Sequence, residues 1–249
     1  MGYWEQALEA LAHLPPDRTT LEQAVDVRCD LHHALEPLAQ DEQKLTYLRD
    51  AERLAEELAD QRRLGLVYRM LASTLRQMQD YEPTLAYSQR THAIATALRD
   101  VRLQLEGNLA MGWIYHSLGD YRQAMEHLQQ ALTTLQGESH PQSFGLRRHL
   151  LGHRPGNRSL VTRTWMVLGL SELGAFAEGV AYGNEVLQLA EAIDRPYDYL
   201  NIYYRVGYLH VRQGTLHQAI PLLERGVALG QEADIPLFYR LNAVYLALA

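Results

Sequence analysis

The feature that most constrains this chain is a register to which it keeps returning. From Gly112 it runs Gly112-Trp-Ile-Tyr115-His-Ser-Leu118-Gly119-Asp120-Tyr121-Arg-Gln-Ala124-Met-Glu-His-Leu128-Gln-Gln-Ala131. The equivalent positions 40 residues earlier hold Ala72, Leu75, Asp80, Tyr81, Thr84 and Thr91; a further 40 back, His32, Leu35, Lys44, Leu48 and Ala51 give a weaker match. Going forward, Gly174, Phe176 and Gly179 repeat the turn at an offset of 55, and Gly207, His210, Gly214, Leu216, Ala219, Leu223 and Gly226 repeat it 40 later. A chain with such a period folds as stacked copies of one supersecondary unit, each burying the face its neighbour would otherwise expose.

Each position has a physical role. Gly112 and Ala124 are small where two helices of one unit cross closely. Gly119 tolerates the left-handed backbone that ends a helix. Asp120 offers a carboxylate to cap the next helix, and Tyr121 and Leu128 fill the space between the pair. A small residue, an aromatic three later, a Leu-Gly-Asp-Tyr turn, then Ala, a large apolar residue and Ala make up the tetratricopeptide (TPR) pattern. The expected fold is all-α, a TPR-like right-handed superhelix (α-solenoid) of antiparallel helix pairs. A standard repeat has about 34 residues, so a period of 40 lengthens each pair by more than one turn in total. Apolar spacing at three and four marks the remaining helices: Leu21, Val25, Leu31, Leu35 and Leu38; then Leu45, Leu48, Ala51, Leu54 and Leu58; then Leu66, Met70, Leu71 and Leu75. No run sustains period-two alternation, so about 12 helices and no strands are predicted.

The layout is a single solenoid over 1–249. It comprises a half-repeat at 1–14, repeats at about 18–59, 61–99 and 101–136, an irregular insertion at 137–157, repeats at about 158–193 and 196–233, and a half-repeat at 235–249. The first helix of a pair is here called A and the second B. Tyr3 to Leu11 reads as a lone B helix, with Trp4 and Ala7 in the Tyr121 and Ala124 roles. Ile235 to Ala249 reads as a lone A helix, apolar almost all round where a solenoid cap would be polar outside. The expectation is therefore an internal piece of a longer protein, cut mid-repeat at both ends. The last helix should dock on another copy as a homodimer or fray, and Leu246→Arg should weaken such a dimer.

Composition excludes several functions. A net charge of -7 opposes nucleic-acid binding. Apolar runs are too short for a membrane span, and Glu5 and Glu9 argue against a signal peptide. Cys29 is the only cysteine, so no internal disulfide forms and a cytoplasmic setting is expected. Lys44 is the only lysine and lies in Asp41-Glu-Gln-Lys-Leu-Thr46, not in the Gly-Lys-Ser/Thr of a phosphate-binding loop. No Gly-x-Ser-x-Gly nucleophile elbow is present. Cys29 has His32 and His33 nearby but no third group to orient them, so a bystander thiol is expected. His149 and His153 are four apart, but Gly152 and Pro155 interrupt a helix there and no further ligand completes a metal set. No catalytic residue, cofactor or metal is expected.

Beyond the repeat itself, several segments resemble a larger architecture. They are Leu21-Glu-Gln-Ala-Val-Asp-Val-Arg-Cys-Asp-Leu31, Asp60-Gln-Arg-Arg-Leu-Gly65, Thr162-Arg-Thr-Trp165 with Leu173-Gly-Ala-Phe-Ala-Glu-Gly179, and Leu209 to Gly226. Together they resemble the TPR region of large bacterial AAA/NACHT-ATPase signalling proteins, most closely the C-terminal repeats of class III adenylate/guanylate cyclase–ATPase fusions. The resemblance implies a parent protein that handles nucleotides, with ATPase and cyclase domains as intramolecular partners of this segment. It places none of that chemistry on these residues.

In the register of Gly112, the A helices present a concave face. Leu66, Arg69, Ser73 and Arg76 lie on it from one A helix, Glu106, Leu109, Trp113 and His116 from the next, and Asn201, Tyr204, Tyr208 and Arg212 from a later one. Aromatic and arginine side chains suit a protein or peptide groove, since they give large contact area and directed hydrogen bonds. Trp113 and Tyr204 serve equally well as packing between neighbouring A helices. The Lys/Asn set that holds a C-terminal carboxylate in chaperone-binding relatives is missing. The insertion is locally basic through Arg147, Arg148, Arg154 and Arg158, which suits either a phosphate or acidic surface or a solvated bridge between repeat blocks. The leading function is a non-catalytic interaction and regulatory module; the rival is an effector sensor of an ATP-dependent regulator that closes over a small ligand.

Overall fold

A computed structural model describes residues 2–35, 40–137, 155–191 and 196–249. Among these, twelve helices and no strands form. They are α1 (Gly2–Ala12), α2 (Arg18–Leu35), α3 (Asp41–Glu57), α4 (Gln61–Gln77), α5 (Tyr81–Leu98), α6 (Val101–Ser117), α7 (Tyr121–Gly137), α8 (Pro155–Leu173), α9 (Phe176–Glu191), α10 (Pro196–Gln213), α11 (Leu216–Glu232) and α12 (Pro236–Leu248). The architecture is the all-α, TPR-like solenoid class expected from the repeat. Helices α2 to α11 run to 16–19 residues each, which accounts for the long period.

The turns follow from backbone chemistry. After the A helices, Gly119, Gly174 and Gly214 take φ of 80°, 72° and 81°, the left-handed region where glycine has no steric penalty. The same slot one period before Gly119 holds Gln79 at φ 63°. After the B helices, Ala59, Arg99 and Asp234 are also left-handed, at 52°, 49° and 51°. Ala59 N–H donates to Glu56 O at 2.9 Å and Asp60 N–H to Ala55 O at 3.1 Å, the paired closure that satisfies the last carbonyls of α3. Asp60, Asp100 and Asp120 then cap the following helices, their carboxylates accepting from Arg63, Leu103 and Gln123 N–H at 3.0, 3.1 and 3.2 Å. Asp80 makes no such side-chain cap; its carbonyl instead accepts the Thr84 hydroxyl at 2.6 Å.

The described residues form two compact units. In the first, α2 with α3 and α4 with α5 are antiparallel pairs, α1 packs on α2, and α6 packs on α5 and α4. Its core joins Val25 and Cys29 of α2, Leu48 and Ala51 of α3, and Val67, Met70 and Leu71 of α4. The weak matches in the repeat lie here and are explained by hydrogen bonding. Thr84 and Thr91 replace alanine in α5 and are buried, but their hydroxyls donate to Asp80 O and Tyr87 O, one turn back. Lys44 occupies the slot of Ala124 with 1% of its surface exposed; its Nζ lies 2.7 Å from Asp41 Oδ1 and donates to Gln77 Oε1 at 2.9 Å. Arg63 ties α4 to α2, donating twice to the Asp26 carboxylate at 3.0 and 3.1 Å.

The second unit contains the first part of α7 and helices α8 to α12. α8 with α9 and α10 with α11 are antiparallel pairs; α10 also packs on α8, and α12 packs on α10 and α11. α7 continues through Gly137 and α8 opens at Pro155, because proline is well suited to the first turn of a helix, where its missing N–H has no bond to lose. Arg147, Arg148, Arg154, His149 and His153 lie outside the described residues; Arg158 is half-buried on α8.

Helix α12 is seated within the chain. Asn242, fully buried, donates through Nδ2 to Leu200 O at 3.2 Å and Phe238 O at 2.8 Å. Leu246 packs into the same cluster, so an arginine there disturbs the seat of α12 and is not a clean probe of a dimer. The outward face is formed by Leu237, Val244 and Leu248, each more than half exposed. No described helix is long and apolar enough to cross a membrane.

Candidate functional site

In the first unit, α4, α5 and α6 enclose a small concavity of about 230 Å³ that opens to solvent. Arg69, Ser73 and Arg76 line it from α4, Thr84 and Ser88 from α5, and Ala110 and Trp113 from α6. The helical spacing 69, 73, 76 puts three side chains of α4 on one stripe. Arg76 holds its guanidinium 5.7 Å from the centre of the Trp113 ring, within cation–π range. Both residues are half-buried, so an incoming group meets a planar cation and an indole together. Arg69 sits deeper; its Nε is 3.8 Å from Glu106 Oε2, and both side chains are nearly sealed from solvent. Thr84 and Ser88 donate their hydroxyl protons back to Asp80 O and Thr84 O, one turn earlier.

The sequence reading placed four α6 residues on the concave face. Trp113 reaches the concavity and His116 is half-buried beside it in the helix, but Glu106 and Leu109 are buried at 2% and 0% exposure. Close approach of α4 and α6 closes over those two positions. Leu66 and Ser73 remain half-buried.

In the second unit, Asn201, Tyr204, Tyr208 and Arg212 share one side of α10. Tyr204 takes the packing role: it is 8% exposed and stacks on Phe238 and Tyr245 of α12, with centroids 5.9 and 6.2 Å apart. Tyr208 is half-buried and its hydroxyl donates to Glu172 of α8. Burial, together with that carboxylate, pushes the Tyr208 phenol up to about 12. Arg212 is the most exposed of the four, its Nη1 donating to the Tyr208 hydroxyl at 3.3 Å and lying 3.3 Å from Glu172 Oε2. The three side chains thus form one fixed ionic cluster.

One residue that the concave-face pattern skipped stands out. Arg205, next to Tyr204, is 5% exposed and lies 4.8 Å from the Trp165 ring and 4.7 Å from the Tyr204 ring. The signal was in the register: Met70 and Ala110 occupy the equivalent slot, and an arginine there departs from the apolar rule.

Two other candidates are structural. Burial, with Asp26 and Asp30 nearby, pushes the Cys29 thiol up to about 12, so it stays protonated at neutral pH and is a poor nucleophile. Lys44 is consumed by Asp41 and Gln77. Among the described residues, no three His, Cys, Asp or Glu side chains are placed to hold a metal ion.

Residues 63–136 match the family model of a tetratricopeptide repeat, less than a third of the chain but the part that carries the concavity. No curated protein matches the sequence. Among solved structures, aspartyl phosphate phosphatase F from Bacillus subtilis is similar over 92% of this chain and 57% of its own, with a TM-score of 0.65 and 14% identity. The apo form of RapI is similar over 98% of this chain and 87% of its own, with a TM-score of 0.66 and 11% identity. This chain therefore spans little more than half the length of the first of these proteins. At such identities the likeness is one of fold.

Proposed function

We propose that this segment is a non-catalytic protein-binding module whose primary contact is the α4–α6 concavity around Arg76 and Trp113. The lining of that concavity carries the reading: the tryptophan and arginines are the residue types that dominate interface energetics. Its space of about 230 Å³ includes open solvent, so it is a shallow depression and does not enclose a small molecule. The effector-sensor reading needs a larger enclosure and is the weaker of the two. His116 extends the proposed surface along α6 in the first unit; Asn201, Tyr208 and Arg212 form a second candidate contact, on α10 of the second unit.

The resemblance to repeat regions of cyclase–ATPase fusions supports a place within a larger cytoplasmic signalling protein, where the partner is another domain of the same chain or a regulator of it. The phosphatase name of the Bacillus subtilis neighbour belongs to that protein and is not carried over, since the likeness is one of fold. A homodimer through Leu237, Val244 and Leu248 of α12 belongs to the same proposal; light scattering of the parent and of a Val244→Arg, Leu248→Arg variant tests it. The functional test is affinity capture with the parent and with Arg76→Ala, Trp113→Ala. The reading expects a directly binding protein whose affinity falls at least about 30-fold in the variant, the loss of one hot spot of about 2 kcal/mol. Equal recovery by both proteins counts against it.

A further inference from the structure

We propose that Arg205, flanked by the Trp165 and Tyr204 rings, is a receptor for a carboxylate on the A-helix face of the second unit.

Trp165, Arg205 and Tyr245 stand 40 residues apart and so occupy the same slot on α8, α10 and α12. In the first unit that slot holds Met70 and Ala110, both buried and apolar. A methionine-sized side chain satisfies the packing, so a guanidinium is not required by the fold. Arg205 is nevertheless 5% exposed.

Among the described residues, none is placed as its counter-charge. Several other buried or half-buried arginines have one: Arg69 has Glu106, Arg63 has Asp26 and Asp60, and Arg28 has Asp50. Among the described residues Arg205 has no carboxylate at ion-pair distance. It makes one long hydrogen bond, Nη1 to Asn201 O at 3.4 Å, and its Nε is buried with no acceptor. The groups around it are Trp165 and the phenols of Tyr197, Tyr204 and Tyr245. Burial pulls the guanidinium below its ordinary pKa, and only those phenols oppose the pull. Two aromatic faces recover part of the cost of burying a cation, but an unpaired charge remains expensive. A ligand that carries the missing charge removes that cost on binding.

The charge also sets the ligand. A single guanidinium neutralises a monoanion and pairs with it through two parallel N–H groups. A phosphate dianion would leave a buried negative charge. A carboxylate on a partner's acidic side chain or chain end fits both conditions. This rests on the reading that the A-helix face is the binding face, but it is tested without any protein partner.

The experiment is thermal unfolding of the parent and Arg205→Met in butyrate, in the neutral butyramide, and in phosphate, at matched ionic strength. Butyrate at a hundred times its Kd should raise the parent's Tm by roughly 5–10 °C, butyramide should not, and phosphate should do less. Arg205→Met, having lost a buried unpaired charge, should melt higher than the parent without ligand and show no butyrate shift; Arg205→Gln serves if the methionine variant does not fold. A parent that ignores butyrate, or a variant that keeps the shift, overturns the proposal. Failure of protein capture at Trp113 with the butyrate shift intact would indict the Arg76–Trp113 reading alone.

Discussion

Single positions show which side chains the repeat tolerates and which it needs. Gln79 has φ 63° in a slot where Gly119, Gly174 and Gly214 stand in other repeats. A non-glycine residue there costs roughly 1–2 kcal/mol, so Gln79→Gly should raise stability by about 1 kcal/mol once its extra unfolded-state freedom is subtracted. Gly214→Ala should lower it by a similar amount; urea unfolding midpoints of both variants check the pair. Lys44 is the sharper case. Its burial against Asp41 and Gln77 predicts a loss of about 2–3 kcal/mol for Lys44→Ala, from the cavity and the abandoned partners. The sequence made Lys44 a weak match to the alanine rule; it did not show that Gln77, 33 residues away, would accept its ammonium group. His210 gives a pH dependence. Burial lowers its pKa from the usual 6.5, so below that pH the unfolded chain takes up a proton the folded chain refuses. Stability should therefore fall as pH drops through about 6.5, and His210→Asn should flatten the fall in thermal melts.

At the scale of elements, the seat of α12 depends on one close approach. A Cβ built on Gly226 of α11 would stand 2.0 Å from Asn242 Oδ1 of α12. That oxygen belongs to a fully buried amide already bound to Leu200 and Phe238 carbonyls, so it has little room to retreat. Gly226→Ala should unseat α12, seen as faster amide exchange across Pro236–Leu248 while α8 and α9 stay protected. The repeat already marked Gly226 as a small position equivalent to Ala131, so the need for a small residue was legible. That only glycine fits was not, because the reason is Asn242, a residue with no counterpart in the pattern. The same divide runs through the candidate site. Spacing placed Arg69, Arg76 and Trp113 on one face, and these three do line one concavity. Periodicity has no view of depth, however: Glu106 and Leu109 share that face by angle and are covered where α6 meets α4. Arg205 was passed over for the converse reason, since its slot is a core slot in the other repeats.

For the molecule as a whole, fold class was legible, as were helix count and order among the described residues, because a 40-residue period leaves few architectures open. The partner was not legible, because a TPR-like scaffold fixes where a ligand surface lies and leaves its specificity to a few side chains. The central claim is that those side chains are Arg76 and Trp113. The most direct measurement is the affinity of the captured partner for the parent, for Arg76→Ala, Trp113→Ala, and for Gln89→Ala, an exposed change on the B helix α5. All three proteins must show the same helical content by circular dichroism. The account predicts that Gln89→Ala binds as the parent does and that the double variant binds at least about 30-fold more weakly. Unchanged affinity in the double variant would contradict it.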